Sequence, residues 1–337
     1  MRLIRNTCHA LRTGLAATVL AAAFPAIAGN ALAADPVTLK VGFGPGGSYG
    51  AMAQLVAENL GAHLPGNPGI VVQYVEGAGS LKLAKMMAAT EPGDGSVFGL
   101  VNPSVMVATV TDPATADFDP NAFHWIGSLA DTPLLCVVRK DSAIRTADDL
   151  LEADVILGST GKASGSYMLA NMIKQTLGAR YTVITGFKTA PEVNIAMDRG
   201  EIEGWCGITL SSFIQANSER SQRIVAQWAY KVPPEIADIP NFVERIEEPR
   251  DRAAAELLTS HLKFQLPIFL PPGTPEATVA EFRKAFDAMV ADPRVLEEAR
   301  KRHSDIASKP GTDVAETVRA ITAADTATVE RAAELSR

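Results

Sequence analysis

The run Val41-Gly42-Phe43-Gly44-Pro45-Gly46-Gly47-Ser48-Tyr49-Gly50 decides how this chain is read. Before it, Val37-Thr38-Leu39-Lys40-Val41 alternates as a strand does. After it, Ala51 to Leu60 carries apolar residues at helical spacing. The connection is therefore a strand, a glycine loop and a helix. Four of the seven residues from Gly42 to Ser48 are glycine. A tight turn alone needs one or two. Glycine also lets backbone N–H groups approach a ligand closely. The unpaired N–H groups and dipole of the following helix favour an anion at the same spot. The stretch is expected to cradle a ligand.

Taken literally, Gly42-x-Gly44-x-x-Gly47 is also the dinucleotide fingerprint, with Glu76 after the next strand in the place of a ribose-binding acid. Pro45 inside the turn and the late position of Glu76 weaken that match. The leader segment weakens it further. Arg2, Arg5 and Arg12 precede the apolar run Gly14 to Ala28, and Ala31-Leu32-Ala33 is a small-x-small cleavage site. The run is too short to span a bilayer comfortably. Residues 1–33 thus read as a signal peptide cut after Ala33, with a periplasmic product. Cys8 lies too early to carry a lipid.

Loss of the three leader arginines takes the formal net charge from −7 to −10. An acidic chain without basic clusters speaks against nucleic acid and anionic membrane as partners. Two cysteines remain, Cys136 and Cys206. They are either a disulfide of an exported protein or a pair of buried thiols; sequence leaves both open.

From Val37 to Val101 the pattern is β-α-β-α-β. Its second strand is Ile70 to Val75, and Gly77-Ala78-Gly79-Ser80 leads into the helix Leu81 to Ala89. Its third strand, Val97 to Val101, ends in Asn102-Pro103-Ser104. A second unit follows. Strand Val155-Ile156-Leu157 runs through Gly158 to Ser166 into a helix, and strand Tyr181 to Ile184, helix Pro191 to Asp198 and strand Ile202 to Ile208 come after it. Arg223 to Trp228 is expected to run back, and Phe264 to Leu270 is a further strand. Glu276 to Val290, Asp292 to Arg302 and Asp313 to Glu334 are expected as helices. Alternation of this kind predicts two α/β lobes with mainly parallel sheets. Polar turns after the strands then share one edge, where open α/β sheets bind ligands. The expected division is 34–130 with 225–337 as one lobe and 131–224 as the other.

Catalytic motifs fail one by one. Ser159-Thr160-Gly161-Lys162 spells S-x-x-K, and Lys188-Thr189-Ala190 approaches K-T-G. Gly161 interrupts the helix that S-x-x-K requires, and no S-D-N is present. Ile156 stands where a P-loop needs its first glycine. His63, His124, His261 and His303 lack metal-ligand spacing. No catalytic residue, metal or cofactor is expected. What remains is a set of glycine and hydroxyl turns suited to holding a small molecule.

In order along the chain, several of these motifs resemble one family. They are Phe43-x-Pro45-Gly46-Gly47-Ser48, Gly77-Ala78-Gly79, Pro92-x-Asp94-Gly95, Gly158-Ser159-Thr160-Gly161, Gly186-Phe187-Lys188, Arg199 to Gly204, and Leu270-Pro271-Pro272-Gly273-Thr274-Pro275. Together they are similar to the periplasmic receptors of tripartite tricarboxylate transporters, the Bug family. The resemblance implies a type II periplasmic binding fold, an α/β architecture of two lobes with a ligand cleft between them. It implies a monomeric, non-enzymatic receptor that captures a small organic acid and hands it to transporter membrane subunits. A periplasmic sensor feeding a signalling system, and an oxidoreductase using a nicotinamide, are the alternatives. The implied ligand residues are Gly46, Gly47, Ser48, Tyr49, Gly79, Ser80, Asn102, Ser104, Thr160, Gly161, Ser164, Gly165 and Ser166, with Lys188 as added positive charge. One departure matters: the family commonly has Asp two residues after the serine of the first loop, and this chain has Gly50.

Overall fold

The structure, a computed structural model, describes residues 35–302 and 306–337. The leader segment with its cut after Ala33, and His303, lie outside the described residues. The strands are β1 (Val37–Val41), β2 (Ile70–Tyr74), β3 (Val97–Leu100), β4 (His124–Ala130), β5 (Leu134–Arg139), β6 (Ile156–Ser159), β7 (Thr182–Thr185), β8 (Gly204–Thr209), β9 (Gln222–Trp228), β10 (Gln265–Leu270) and β11 (Lys309–Pro310). The helices are α1 (Gly47–Asn59), α2 (Leu81–Ala89), α3 (Ser104–Thr111), α4 (Ala147–Glu152), α5 (Gly165–Leu177), α6 (Ala190–Asp198), α7 (Leu210–Gln215), α8 (Pro249–Thr259), α9 (Glu276–Ala291), α10 (Pro293–Lys301), α11 (Gly311–Thr322) and α12 (Thr326–Leu335).

Two sheets divide these strands. One has the order β11-β4-β10-β3-β1-β2, the other β7-β6-β8-β5-β9. In each, three strands run parallel: β2-β1-β3 and β7-β6-β8. In each, an antiparallel strand closes that trio, β10 beside β3 and β5 beside β8, and a further antiparallel strand lies outside it. The two lobes therefore share one strand order, with β5 reaching its sheet before the parallel trio and β10 after it. Both sheets are mixed, where the alternation of strands and helices predicted mainly parallel ones. The antiparallel strands come from the two crossings between lobes: β4 passes to β5 with no helix between them, and the return from β9 through α8 brings β10 in against β3. The return crossing comes after Trp228, because β9 pairs with β5 over its whole length; the expected boundary at 225 falls inside that strand.

The expected helix Asp313 to Glu334 is two helices. Asp325 breaks it, its carboxylate accepting from the Thr328 N–H at 3.0 Å and so capping a new start. Three cores hold the molecule. Leu39, Met52, Leu55, Phe98, Ile268, Phe282 and Phe286 pack α1 and α9 onto the first sheet. Leu135, Val193, Met197, Trp205 and Phe213 do the same for the second. The largest core joins the lobes: Met87, Val105 and Phe269 of the first continue into Cys136, Met168 and Trp228 of the second, with Phe242, Leu258, Phe264 and Leu335 between them. Cys136 and Cys206 face each other across β5 and β8 and are joined as a disulfide.

Candidate functional site

Each parallel strand ends in a turn that starts a helix, so β1, β3, β6, β7 and β8 deliver the N-termini of α1, α3, α5, α6 and α7 to the gap between the sheets. A narrow inner cavity of about 60 Å³ lies where they meet. Its first-lobe wall is Gly46 to Tyr49, Asn102 and Gln265; its second-lobe wall includes Thr160, Ser166, Thr209 and Ser212. A wider outer cavity of about 870 Å³ is lined by Gly79, Gly161, Lys162, Lys188, Asp112 and Arg337, among others. Phe43 and Thr160 line both.

The first loop holds its helix open. Gly46 is the residue before α1 and gives it no side-chain cap, and no acidic residue lies in the first turn. The Ser48 N–H is met from the opposite lobe, donating to the Ser212 hydroxyl at 3.1 Å. Gly47 has φ +72°, a conformation that strains any side chain. Gly50 is explained by the same loop: a Cβ there would stand 2.0 Å from the Pro45 carbonyl oxygen. An aspartate at this position has no room: the backbone of Pro45 packs directly against Gly50.

The matching loop after β6 is self-contained. Ser164 caps α5, its hydroxyl accepting from the Tyr167 N–H at 3.4 Å and lying 2.6 Å from the Gly161 carbonyl and 2.8 Å from the Ser166 hydroxyl. The Ser166 hydroxyl in turn accepts from the Thr160 N–H at 3.4 Å. Strain sits in the second glycine turn, where Ala78 and Ser80 both have positive φ, +50° and +85°. Ser80 fills the space beside Gly42 and accepts from the Asn102 N–H at 3.0 Å. Asn102 then accepts from the Ser104 N–H at 3.0 Å, ordering the start of α3.

The lobes touch through these turns. A Cβ on Gly161 would lie 2.7 Å from the Gly79 nitrogen, and one on Gly79 2.9 Å from the Ser164 Cβ. One on Gly46 would lie 3.0 Å from Pro191. The Ser104 hydroxyl lies 2.8 Å from the Ala163 carbonyl, and Lys188 stands 4.0 Å from Glu76.

The expected ligand residues thus sort into three groups. Gly46, Gly47, Ser48, Tyr49, Asn102, Thr160, Gly165 and Ser166 line the inner cavity. Gly79, Gly161 and Lys188 line the outer one. Ser80, Ser104 and Ser164 are buried and line neither; they hold the turns. Ser159 of the S-x-x-K run is buried in β6 while Lys162 is exposed at the outer cavity. Thr209, Ser212 and Gln265 were not foreseen. Thr209-Leu210-Ser211-Ser212 after β8 carried the same hydroxyl-turn signal as the loops that were singled out, with Thr209 accepting from the Ser212 N–H at 3.1 Å. Gln265 left no such signal. It is presented beside Leu266, whose φ of +55° bends β10 at its start.

Two buried ring nitrogens at this place lack partners: Trp205 Nε1 and His261 Nε2. Trp205 lines the inner cavity. His261 lies behind it, its Nε2 2.9 Å from where a Gly165 Cβ would stand. Burial pushes the His261 imidazole down to about 4, opposed in part by its hydrogen bond to the Leu258 carbonyl, so the ring is neutral at pH 7. Burial raises the Tyr49 phenol above its ordinary value.

No protein-family model and no curated protein matches this sequence. Solved structures do. BugD, a periplasmic binding protein, superposes with a TM-score of 0.70 at 21% identity, over 90% of this chain and 96% of its own. Rpa4515 of R. palustris with adipate gives 0.71 at 19% identity, over 90% and 97%. MatC from Rhodopseudomonas palustris with bound malate gives 0.70 at 19%, over 91% and 100%. The chain has the periplasmic binding protein fold. The inner cavity is walled by residues of both its lobes.

Proposed function

We propose that this chain is an exported solute receptor of the Bug type, which closes its two lobes on a small carboxylate and delivers it to a tripartite tricarboxylate-type permease. The observation that carries the reading is the start of α1, which has no cap of its own and offers its N–H groups to hydroxyl turns of the opposite lobe, Ser48 to Ser212, across one narrow cavity. A carboxylate oxygen suits such a helix end, each favourable end contributing about 0.3–1 kcal/mol. Micromolar affinity needs about 8 kcal/mol net. Several helix ends with charge-assisted hydrogen bonds reach that without an ion pair. The adipate and malate named for the superposed proteins support a carboxylate as ligand. Residues 34–130 with the return segment form one lobe of this receptor and 131–224, extended to Trp228, the other.

A thermal-shift screen of small mono-, di- and tricarboxylates tests the reading. A ligand that binds only the folded state raises the melting temperature, by mass action. Failure of every acid to do so overturns it. Uptake of the identified acid by cells carrying the permease separates delivery from sensing: a receptor restores uptake, a sensor does not.

A further inference from the structure

We infer that the ligand carries a single carboxylate on an apolar, planar body, an inference that rests on the receptor reading above. No Lys, Arg, His, Asp or Glu lines the inner cavity among the described residues. Lys162, Lys188 and Arg337 line only the outer cavity, beside Asp112, and Lys188 stands 4.0 Å from Glu76. Neutral donors at helix starts can hold one carboxylate. A second negative charge in the same small cavity finds no cation, and an uncompensated buried charge is costly.

Besides Asn102, Thr160, Ser166, Thr189 and Gln265, the wall carries an apolar part that suits the body. The Phe43 and Tyr49 rings lie 4.5 Å apart, tilted by 45°. Trp205, Leu134 and Ile208 continue the apolar surface on the other lobe. Tyr49 stands directly after Ser48 at the open end of α1, so the aromatic face and the anion-binding end are adjacent in sequence and in space. Flat ligands pair well with such rings, and aromatic pairs favour offset or tilted contact over a face-to-face stack. Ser48, Thr209 and Ser212 then face the carboxylate while the ring of the ligand lies against one side of the Phe43–Tyr49 pair, the cavity of about 60 Å³ widening as the lobes part to admit it.

Titration calorimetry on the mature chain at pH 7 tests this with benzoate, acetate, succinate and citrate. Benzoate is expected to bind at least tenfold more tightly than each of the others. Tyr49→Ser is expected to weaken benzoate by tenfold or more while circular dichroism shows the fold retained, with some loss of melting temperature because Tyr49 packs against the first-lobe core. Succinate or citrate binding as tightly as benzoate overturns the single-charge inference and leaves the receptor reading standing. Acetate matching benzoate, or Tyr49→Ser binding benzoate unchanged, overturns the apolar body. Absence of binding by all four acids overturns this inference, and the receptor reading falls separately if the wider acid screen is also blank.

Discussion

Along one side of the interlobe region, Trp228, Phe242, Phe264 and Leu335 pack without exposure into a core shared by both sheets. Along the other, Gly46, Gly79 and Gly161 bring the backbone close against Pro191, Ser164 and Gly79 of the facing lobe, with hydroxyls between. The first seam buries large apolar surface, at roughly 25 cal/mol per Å². The second buries little and is held by single hydrogen bonds, each contributing about 0.5–1.5 kcal/mol net. A body joined this way opens where the contacts are weak and pivots where they are strong. On the proposed receptor reading, the apolar seam is expected to be the hinge side and the glycine seam the mouth. Closure of this hinge type is the usual response of two lobes to a ligand between them.

On the apolar side, the effects of substitution are expected to fall on stability. The Cys136–Cys206 disulfide joins residues 70 apart within the shared core. Closing a loop of that size is expected to add about 4 kcal/mol by restricting the unfolded chain. The double variant Cys136→Ala/Cys206→Ala should show that loss in urea unfolding while retaining its ligand affinity. An unchanged midpoint would remove the disulfide from the account of the hinge.

His261 gives a pH dependence to the same side. Its folded value of about 4 lies below the ordinary 6.5. The unfolded state therefore binds more protons between those values, and stability must rise with pH there. The contribution is complete above pH 6.5 and declines as the pH falls towards 4. A shift of that size corresponds to about 3 kcal/mol. Melting curves at pH 7 and pH 4.5 should diverge for the parent chain, and converge partly for His261→Gln. Identical pH profiles for the two chains would refute this role.

The mouth side is probed by Gly161→Val. The Gly79 nitrogen lies 2.7 Å from where its Cβ would sit, and that neighbour is backbone that cannot rotate away. The turns are expected to stay apart, with affinity falling at least 100-fold, about 2.7 kcal/mol. Stability should change little, because the strain is relieved by opening. Retained affinity in this variant would mean that the mouth does not close on the ligand. Ser212→Ala, which removes the hydroxyl that meets the Ser48 N–H, is expected to cost about 1 kcal/mol of affinity, roughly fivefold.

The two seams were also unequally legible in the sequence. The glycine and hydroxyl turns after β1, β3 and β6 were visible, since each interrupts an apolar run at a helix start. The turn Thr209 to Ser212 carried the same signal. Gln265 reaches the cavity through a positive φ at Leu266, a bulky residue for which that conformation is not expected. The apolar seam left no trace as a seam. Met168, Trp228 and Leu335 look like any core residues, and only the crossings of the chain place them between lobes. Mixed sheets were missed for the same reason: β5 and β10 are assigned by long-range pairing, to which local periodicity is blind.

Lys162 is the smallest test and the one that separates the two sources of binding. It is exposed, and lines only the outer cavity, with Thr160 and Gly161 between it and β6. Were formal charge the main source, Lys162→Met would abolish binding. If the helix start at Gly47 and its facing hydroxyls hold the carboxylate, the same change removes only a screened, longer-range attraction, which weakens further with salt. The expected loss is below tenfold, less than about 1.4 kcal/mol. It should shrink as salt is raised from 20 to about 500 mM, over which the Debye length falls well below 10 Å. Gly47→Val under the same conditions should lose binding at every salt concentration, since the φ of +72° strains a β-branched residue and its methyls would crowd Ala190 and Pro191, which already lie 3.8 Å from where the Cβ would stand. A larger effect from Lys162→Met than from Gly47→Val would move the site out of the inner cavity and into the outer one.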